Sequence, residues 1–153
     1  MQHARPRLVW VGNVADGPYL AELQRLAADR GVQFAPLVNI GDDQLVDLLN
    51  RAAAMLYAPL EAGACSCPVI TVFEGGMKET VLDGVNGLVT DPTPAAMAAA
   101  LERLLADPAL AARLGRGGRE FVHERFSLAG AIDRIETELE QVAAVRPARG
   151  ERA

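Results

Sequence analysis

Two rhythms of apolar and polar residues run along the chain. Short, mostly apolar runs at residues 8–12, 32–37, 55–57, 69–72 and 87–89 have the length and β-branched content of buried strands. Between them the apolar residues recur at helical spacing. Residues 19–30 put Leu20, Leu23, Leu26 and Ala27 on one stripe, and Gly31 stops the run. Gly41-Asp42 opens a second helix, with Asp42 as its N-cap and Leu45, Leu48, Leu49 and Ala52 on its apolar face. Thr93-Pro94 supplies a cap and a first-turn proline for a helix over 95–106, whose inward residues are Met97, Leu101, Leu104 and Leu105. Asp107-Pro108 repeats that start signal ahead of a helix running towards Phe126, weakened at Gly115, Gly117 and Gly118. Ser127 caps a last amphipathic helix with Ile132, Ile135, Leu139 and Val142 along one stripe.

The order strand–helix–strand–helix–strand, joined by right-handed crossovers, predicts an α/β fold with a Rossmann-like, doubly wound parallel sheet. The stretch from Leu56 to Leu88 is its centre: two short buried strands, each followed by a small-residue helix start, where parallel sheets bind ligands at their strand ends. Residues 1–145 are expected to form one domain, and the polar tail 146–153 to fray. The sequence shows no internal repeat and no linker between two cores.

Composition narrows the partners. Half of the 153 residues are hydrophobic and 5% are aromatic, so the core is aliphatic and disorder is excluded. A formal net charge of -5 lacks the footprint of a general nucleic-acid binder. No apolar run is long enough to span a bilayer, and MQHARPR has no secretory h-region. Cys65 and Cys67 flank Ser66, a spacing poorly placed for a disulfide. Zinc would need ligands beyond His3 and His123, both distant in sequence. Small buried thiols, no metal site and a cytoplasmic location follow as expectations.

The chemistry concentrates around Pro59. A helix starting near Leu60 has free N–H groups and the positive end of a dipole, which can hold a diphosphate, and Ala62, Gly63 and Ala64 let a ligand come close. Glu61 offers two acceptor oxygens; the plain alternative is a first-turn acid favourable to the dipole. Val38-Asn39-Ile40-Gly41 offers backbone groups, or is an ordinary strand-to-helix turn. Gly75-Gly76 gives freedom for close approach, and Glu79 is either a pocket residue or a helix-start carboxylate. Gly12-Asn13 ends the first strand facing the ligand edge, or is a simple turn. Asp83-Gly84 and Asn86-Gly87 are turn dipeptides that need no function.

LVWVGN, LVNIGDDQLVDLLNRAAAMLYAP, LEAGACSCPVI, GGMKETVLDGVNGLV and FVHERFSLAGAI stand in an order and spacing that span residues 8–139. With them the chain resembles the C-terminal, donor-binding domain of GT-B-type retaining glycosyltransferases, the family of sucrose synthases and bacterial mannosyltransferases. The resemblance implies one half of a GT-B fold that holds a nucleotide diphosphate-sugar, the donor substrate, with no further cofactor. It places the ribose hydroxyls on Glu61, the base by Val38 and Asn39, and the donor pocket near Leu60, Gly75, Gly76 and Glu79, with Gly12 and Asn13 facing the cleft. The implied reaction moves a hexosyl group to an acceptor hydroxyl. The acceptor-binding N-terminal domain has no counterpart in these residues, so this fragment alone is expected to be inactive. The closing FVHERFS fits a transferase better than a sugar-nucleotide epimerase half.

Two departures bear on catalysis. The family carries a second glutamate ahead of Glu61, with a Phe-Gly pair between them; here Pro59 runs straight into Leu60-Glu61. So short a junction is expected to be strained, which favours a mobile loop of the natural chain missing between Pro59 and Leu60 over a true deletion. The family also offers an arginine and a lysine after the first strand; residues 13–18 carry no cation and one carboxylate, Asp16. An inactive GT-B half that binds nucleotide or protein, with residues 127–145 as a contact helix, is the alternative these losses favour.

Overall fold

A computed structural model describes residues 6–13 and 16–145. Arg5, Val14, Ala15 and the expected tail lie outside the described residues. Contacts divide the chain into two compact units, residues 1–48 and 49–153.

In the first unit, β1 (Leu8–Gly12) pairs in parallel with β2 (Phe34–Val38), from Leu8 opposite Phe34 to Gly12 opposite Val38. Helix α1 (Gly17–Asp29) starts two residues earlier than the apolar stripe suggested. Asp16-Gly17-Pro18 is itself a start signal: the Asp16 side chain accepts from the Tyr19 N–H at 2.9 Å, and the proline sits in the first turn. The helix ends at Gly31, whose φ of 62° turns the chain so that the Val32 N–H donates to the Ala27 carbonyl at 2.8 Å. That bond uses the Val32 donor, so β2 begins at Phe34 instead of residue 32. The boundary of the units falls inside α2 (Asp42–Arg51). Here the expected cap is corrected: the Gly41 carbonyl takes the first helical bond, from the Leu45 N–H at 3.0 Å, and Asp42 and Asp43 occupy the first turn, where they still complement the dipole.

The second unit holds β3 (Met55–Leu56), α3 (Pro59–Ala64), β4 (Val69–Val72), α4 (Met77–Thr80), β5 (Gly87–Thr90), α5 (Pro94–Ala106), α6 (Pro108–Arg125) and α7 (Leu128–Val145). Its sheet has the order β3-β4-β5 and is parallel throughout. Each of its strands leads into a helix, as in an α/β crossover fold. The core gathers Ile70 and Leu88 from the sheet with Ala100, Leu104, Leu110 and Leu114 from α5 and α6. The capping signals act as read: the Thr93 hydroxyl accepts from the Ala96 N–H, and the Asp107 carboxylate from the Leu110 N–H at 2.9 Å.

Helix α6 corrects a second expectation. It runs unbroken through Gly115, Gly117 and Gly118, because these glycines are contact points. A Cβ on Gly115 would collide with the Ser66 carbonyl, and one on Gly117 with the Val85 carbonyl; Gly118 lies against Gly63 of α3. The backbones of α3 and α6 therefore meet without intervening side chains. The turn dipeptides also carry structure: the Asn86 side chain accepts from the Leu82 N–H and donates to the Thr80 carbonyl, and Asp83 accepts from the Val89 N–H. The apolar stripe of α7 is exposed, Ile135 at 59% and Leu139 at 64%.

Candidate functional site

The expected site residues fall into two sets, one in each unit, and both lie where parallel strands end. In the first unit Gly12 and Val38 are the last residues of β1 and β2 and stand opposite one another. The Asn39 N–H donates to the Gly12 carbonyl at 2.9 Å, and Asn39 adopts φ 55°, a conformation that asparagine tolerates. Gly12, Asn13, Val38 and Asn39 are thus brought together at one sheet edge, with Asn13 and Asn39 exposed.

In the second unit, α3 and α4 both begin just beyond the C-terminal ends of neighbouring strands, and the two helices touch. Pro59 opens α3, which its missing N–H permits, and Ala58 caps it without a side-chain bond. Leu60 is half-buried, and Glu61 is exposed in the first turn. In the next two residues Ala62 is fully buried and Gly63 meets α6, so α3 is clamped on its inner face while the carboxylate stays open. Gly75 has φ 53°, which only glycine adopts freely; Gly76 caps α4, and Glu79 lies exposed within it. The structure brings Leu60, Glu61, Gly75, Gly76 and Glu79 to one edge.

Tyr57 and Ala58 link β3 to α3; Pro59 and Leu60, where strain was expected, are both helical, and the positive φ of 93° falls on Tyr57 instead. For a non-glycine residue this costs on the order of 1–3 kcal/mol. The Tyr57 ring is 72% exposed, and Phe73, directly after β4, is 53% exposed. The positional reading missed both aromatics; Lys78, exposed in α4, is a cation in this region that it also passed over. Phe73 carried a signal as the residue directly after the apolar run 69–72, whereas Tyr57 was read as the end of the third strand, which the structure closes at Leu56.

The thiols are structural. Cys67 is buried, faces the Ala52 and Pro68 carbonyls, and is pushed up to about 11 by burial, with Cys65 adding to the shift. Among the described residues no group of three or more His, Cys, Asp or Glu is placed to hold a metal ion, and no helix is long and apolar enough to cross a membrane. A shallow cavity of about 330 Å³ lies along α7, lined by Asp133, Arg134, Thr137 and Glu138; no candidate residue lines it.

The profile of the family described as "Glycosyl transferases group 1" matches residues 1–121. The chain is 33% identical over 117 residues to the Alpha-1,3/1,6-mannosyltransferase of Homo sapiens, covering 69% of this chain and 28% of that protein. It is 37% identical over 132 residues to the GDP-mannose-dependent alpha-(1-6)-phosphatidylinositol monomannoside mannosyltransferase of Mycolicibacterium smegmatis, covering 74% of this chain and 35% of that one. Among solved structures it resembles the sucrose-phosphate synthase of Thermosynechococcus elongatus, with a TM-score of 0.80 and 28% identity over 92% of this chain and 39% of that chain. The chain therefore spans well under half the length of each.

Proposed function

Because the chain belongs to the glycosyl transferases group 1 family and has the α/β architecture of a GT-B half, we propose that it is the donor-binding part of a retaining hexosyltransferase. The observation that carries this reading is Glu61, an exposed carboxylate in the first turn of α3 at the C-terminal edge of a parallel sheet. Its two oxygens suit the paired hydroxyls of a ribose. Gly75 and Gly76 leave the neighbouring edge of the same unit open for the diphosphate. In the reaction the bond from the sugar's anomeric carbon to the diphosphate breaks, and a bond to the acceptor oxygen forms on the same face. The acceptor proton passes to the departing phosphate oxygen. Fixed dipoles stabilise the charge that develops there. The acceptor-binding half is a partner segment outside these residues, and without it the chain is expected to bind donor but transfer nothing.

Calorimetric titration with UDP, GDP and ADP tests this reading. One of them should bind, and Glu61→Gln should weaken it about tenfold, the loss of a charged hydrogen-bond acceptor, with an unchanged melting temperature. Silence towards all three nucleotides would refute it.

A second reading, an inactive GT-B half that serves as a binding module, is favoured by the two-residue link at Tyr57–Ala58, which leaves no room for a second glutamate, and by the exposed stripe of α7. A strictly monomeric chain that retains nucleotide and captures no partner speaks against it.

A further inference from the structure

Tyr57 directly follows the last residue of β3, and Phe73 the last residue of β4. The two strands are parallel neighbours, with Leu56 opposite Ile70, so both aromatics stand at the same C-terminal edge. Both are exposed, Tyr57 at 72% and Phe73 at 53%. Tyr19 and Phe126 are exposed as well, but they belong to α1 and the end of α6, whereas this pair stands directly at strand ends. Tyr57 stands apart further, because its φ of 93° is a conformation that favours glycine. A tyrosine held there gives the core nothing and presents its ring to solvent. Around the pair stand the exposed carboxylates Glu61, Glu74 and Glu79, in the first turn of α3, in the turn after β4 and in α4.

We propose that Tyr57 and Phe73 form an aromatic platform against which the hexose ring of the donor packs, with the neighbouring Glu74 and Glu79 carboxylates accepting from its hydroxyls. A pyranose has an apolar C–H face and a rim of O–H donors. A flat π surface beside acceptor-only oxygens is complementary to both. The proposal rests on the donor-binding reading above and adds to it the group that recognises the sugar. A nucleobase presents a similar flat face, so the test separates the two sources.

The 153-residue chain is titrated with GDP and GDP-mannose, and with UDP and UDP-glucose, as wild type, Tyr57→Gly and Phe73→Ala. Tyr57→Gly removes the ring while relieving the backbone, so it should melt at or above the wild-type temperature. Each variant should bind the sugar nucleotide about five- to tenfold more weakly and the bare nucleotide within about twofold of wild type. Unchanged affinity for the sugar nucleotide overturns the platform while leaving donor binding intact. Equal losses for nucleotide and sugar nucleotide assign the rings to the base and overturn the sugar assignment. A wild type that binds none of the four ligands, and is silent towards ADP as well, sinks the donor reading and the platform together.

Discussion

Gly115→Ala separates two accounts of the glycines in α6. As a matter of helix propensity, replacing an interior glycine by alanine stabilises a helix by about 1 kcal/mol. The packing reverses the sign. A methyl on Gly115 would fall well inside 3.0 Å of the Ser66 carbonyl oxygen, a backbone atom that cannot rotate aside. Ser66 is itself held, with φ 57° and its N–H donating to the Gly63 carbonyl at 2.8 Å, so relief requires moving α3 or bending α6. Overpacking of this kind costs typically 1–3 kcal/mol and more where backbone must shift. With the propensity gain set against the upper part of that range, the net is a loss of about 1–2 kcal/mol, or a fall in Tm of roughly 2–8 °C. Thermal and urea unfolding followed by circular dichroism measure it. Gly17→Ala at the start of α1 is the control: nothing lies within 4 Å of its methyl, so it should be neutral or gain a few tenths of a kcal/mol. A Gly115→Ala protein as stable as wild type would refute the packing account.

Two further outcomes follow from burial. Cys67, pushed up to about 11 from the usual 9.0, stays a neutral thiol in the folded chain where the unfolded chain would ionise. Its contribution to stability is therefore full below about pH 9 and lost as the pH climbs from there through about 11, the sign that linkage requires for a raised pKa. Cys67→Ser should flatten that part of a stability–pH curve, and iodoacetamide at pH 8 should label Cys65 well ahead of Cys67 in the native protein. No described residue of β1, α1 or β2 is fully buried, whereas three of the four residues of β4 are. Amide exchange should accordingly be faster over 8–12 and 34–38 than over 69–72 by at least tenfold.

The strands and helices were legible because their signals are local. Apolar runs, Thr93-Pro94, Asp107-Pro108 and Ser127 act within a few residues, and the caps sit where the sequence puts them. The errors arose where one group had two uses. Val32 looked like strand but spends its N–H on closing α1, and Gly41, with no side chain to signal it, took the cap from Asp42. The glycines of α6 read as weakness because what faces them, Ser66 and Val85, is remote in sequence and packs through backbone. At the candidate site, the motif order marked Glu61, Gly75-Gly76 and Glu79. Tyr57 escaped notice because a positive φ on a tyrosine leaves no mark in the sequence, and here it arises from closing β3 onto α3 with two residues.

That closure makes the position of Glu61 depend on both ends of α3. At one end Tyr57 and Ala58 tether it to β3; near the other, Gly63 rests on α6, where a Cβ would meet the Gly118 carbonyl oxygen and the Val122 Cγ2 each at 3.0 Å. The helix is six residues long, too short to absorb a displacement by bending, so a methyl at Gly63 should shift it as a piece and carry Glu61 along. Gly63→Ala should then cost about 1 kcal/mol of stability and weaken nucleotide binding several-fold, although residue 63, expected to let a ligand come close, is buried against α6. Leu104→Ala supplies the contrast. It empties part of the core at a cost of about 2–5 kcal/mol but leaves α3 in place, and its nucleotide affinity should match wild type at a temperature where both remain folded. If Gly63→Ala bound nucleotide as tightly as wild type, the α3–α6 contact would have no part in aiming the carboxylate, and the glycine would serve the stability of the fold alone.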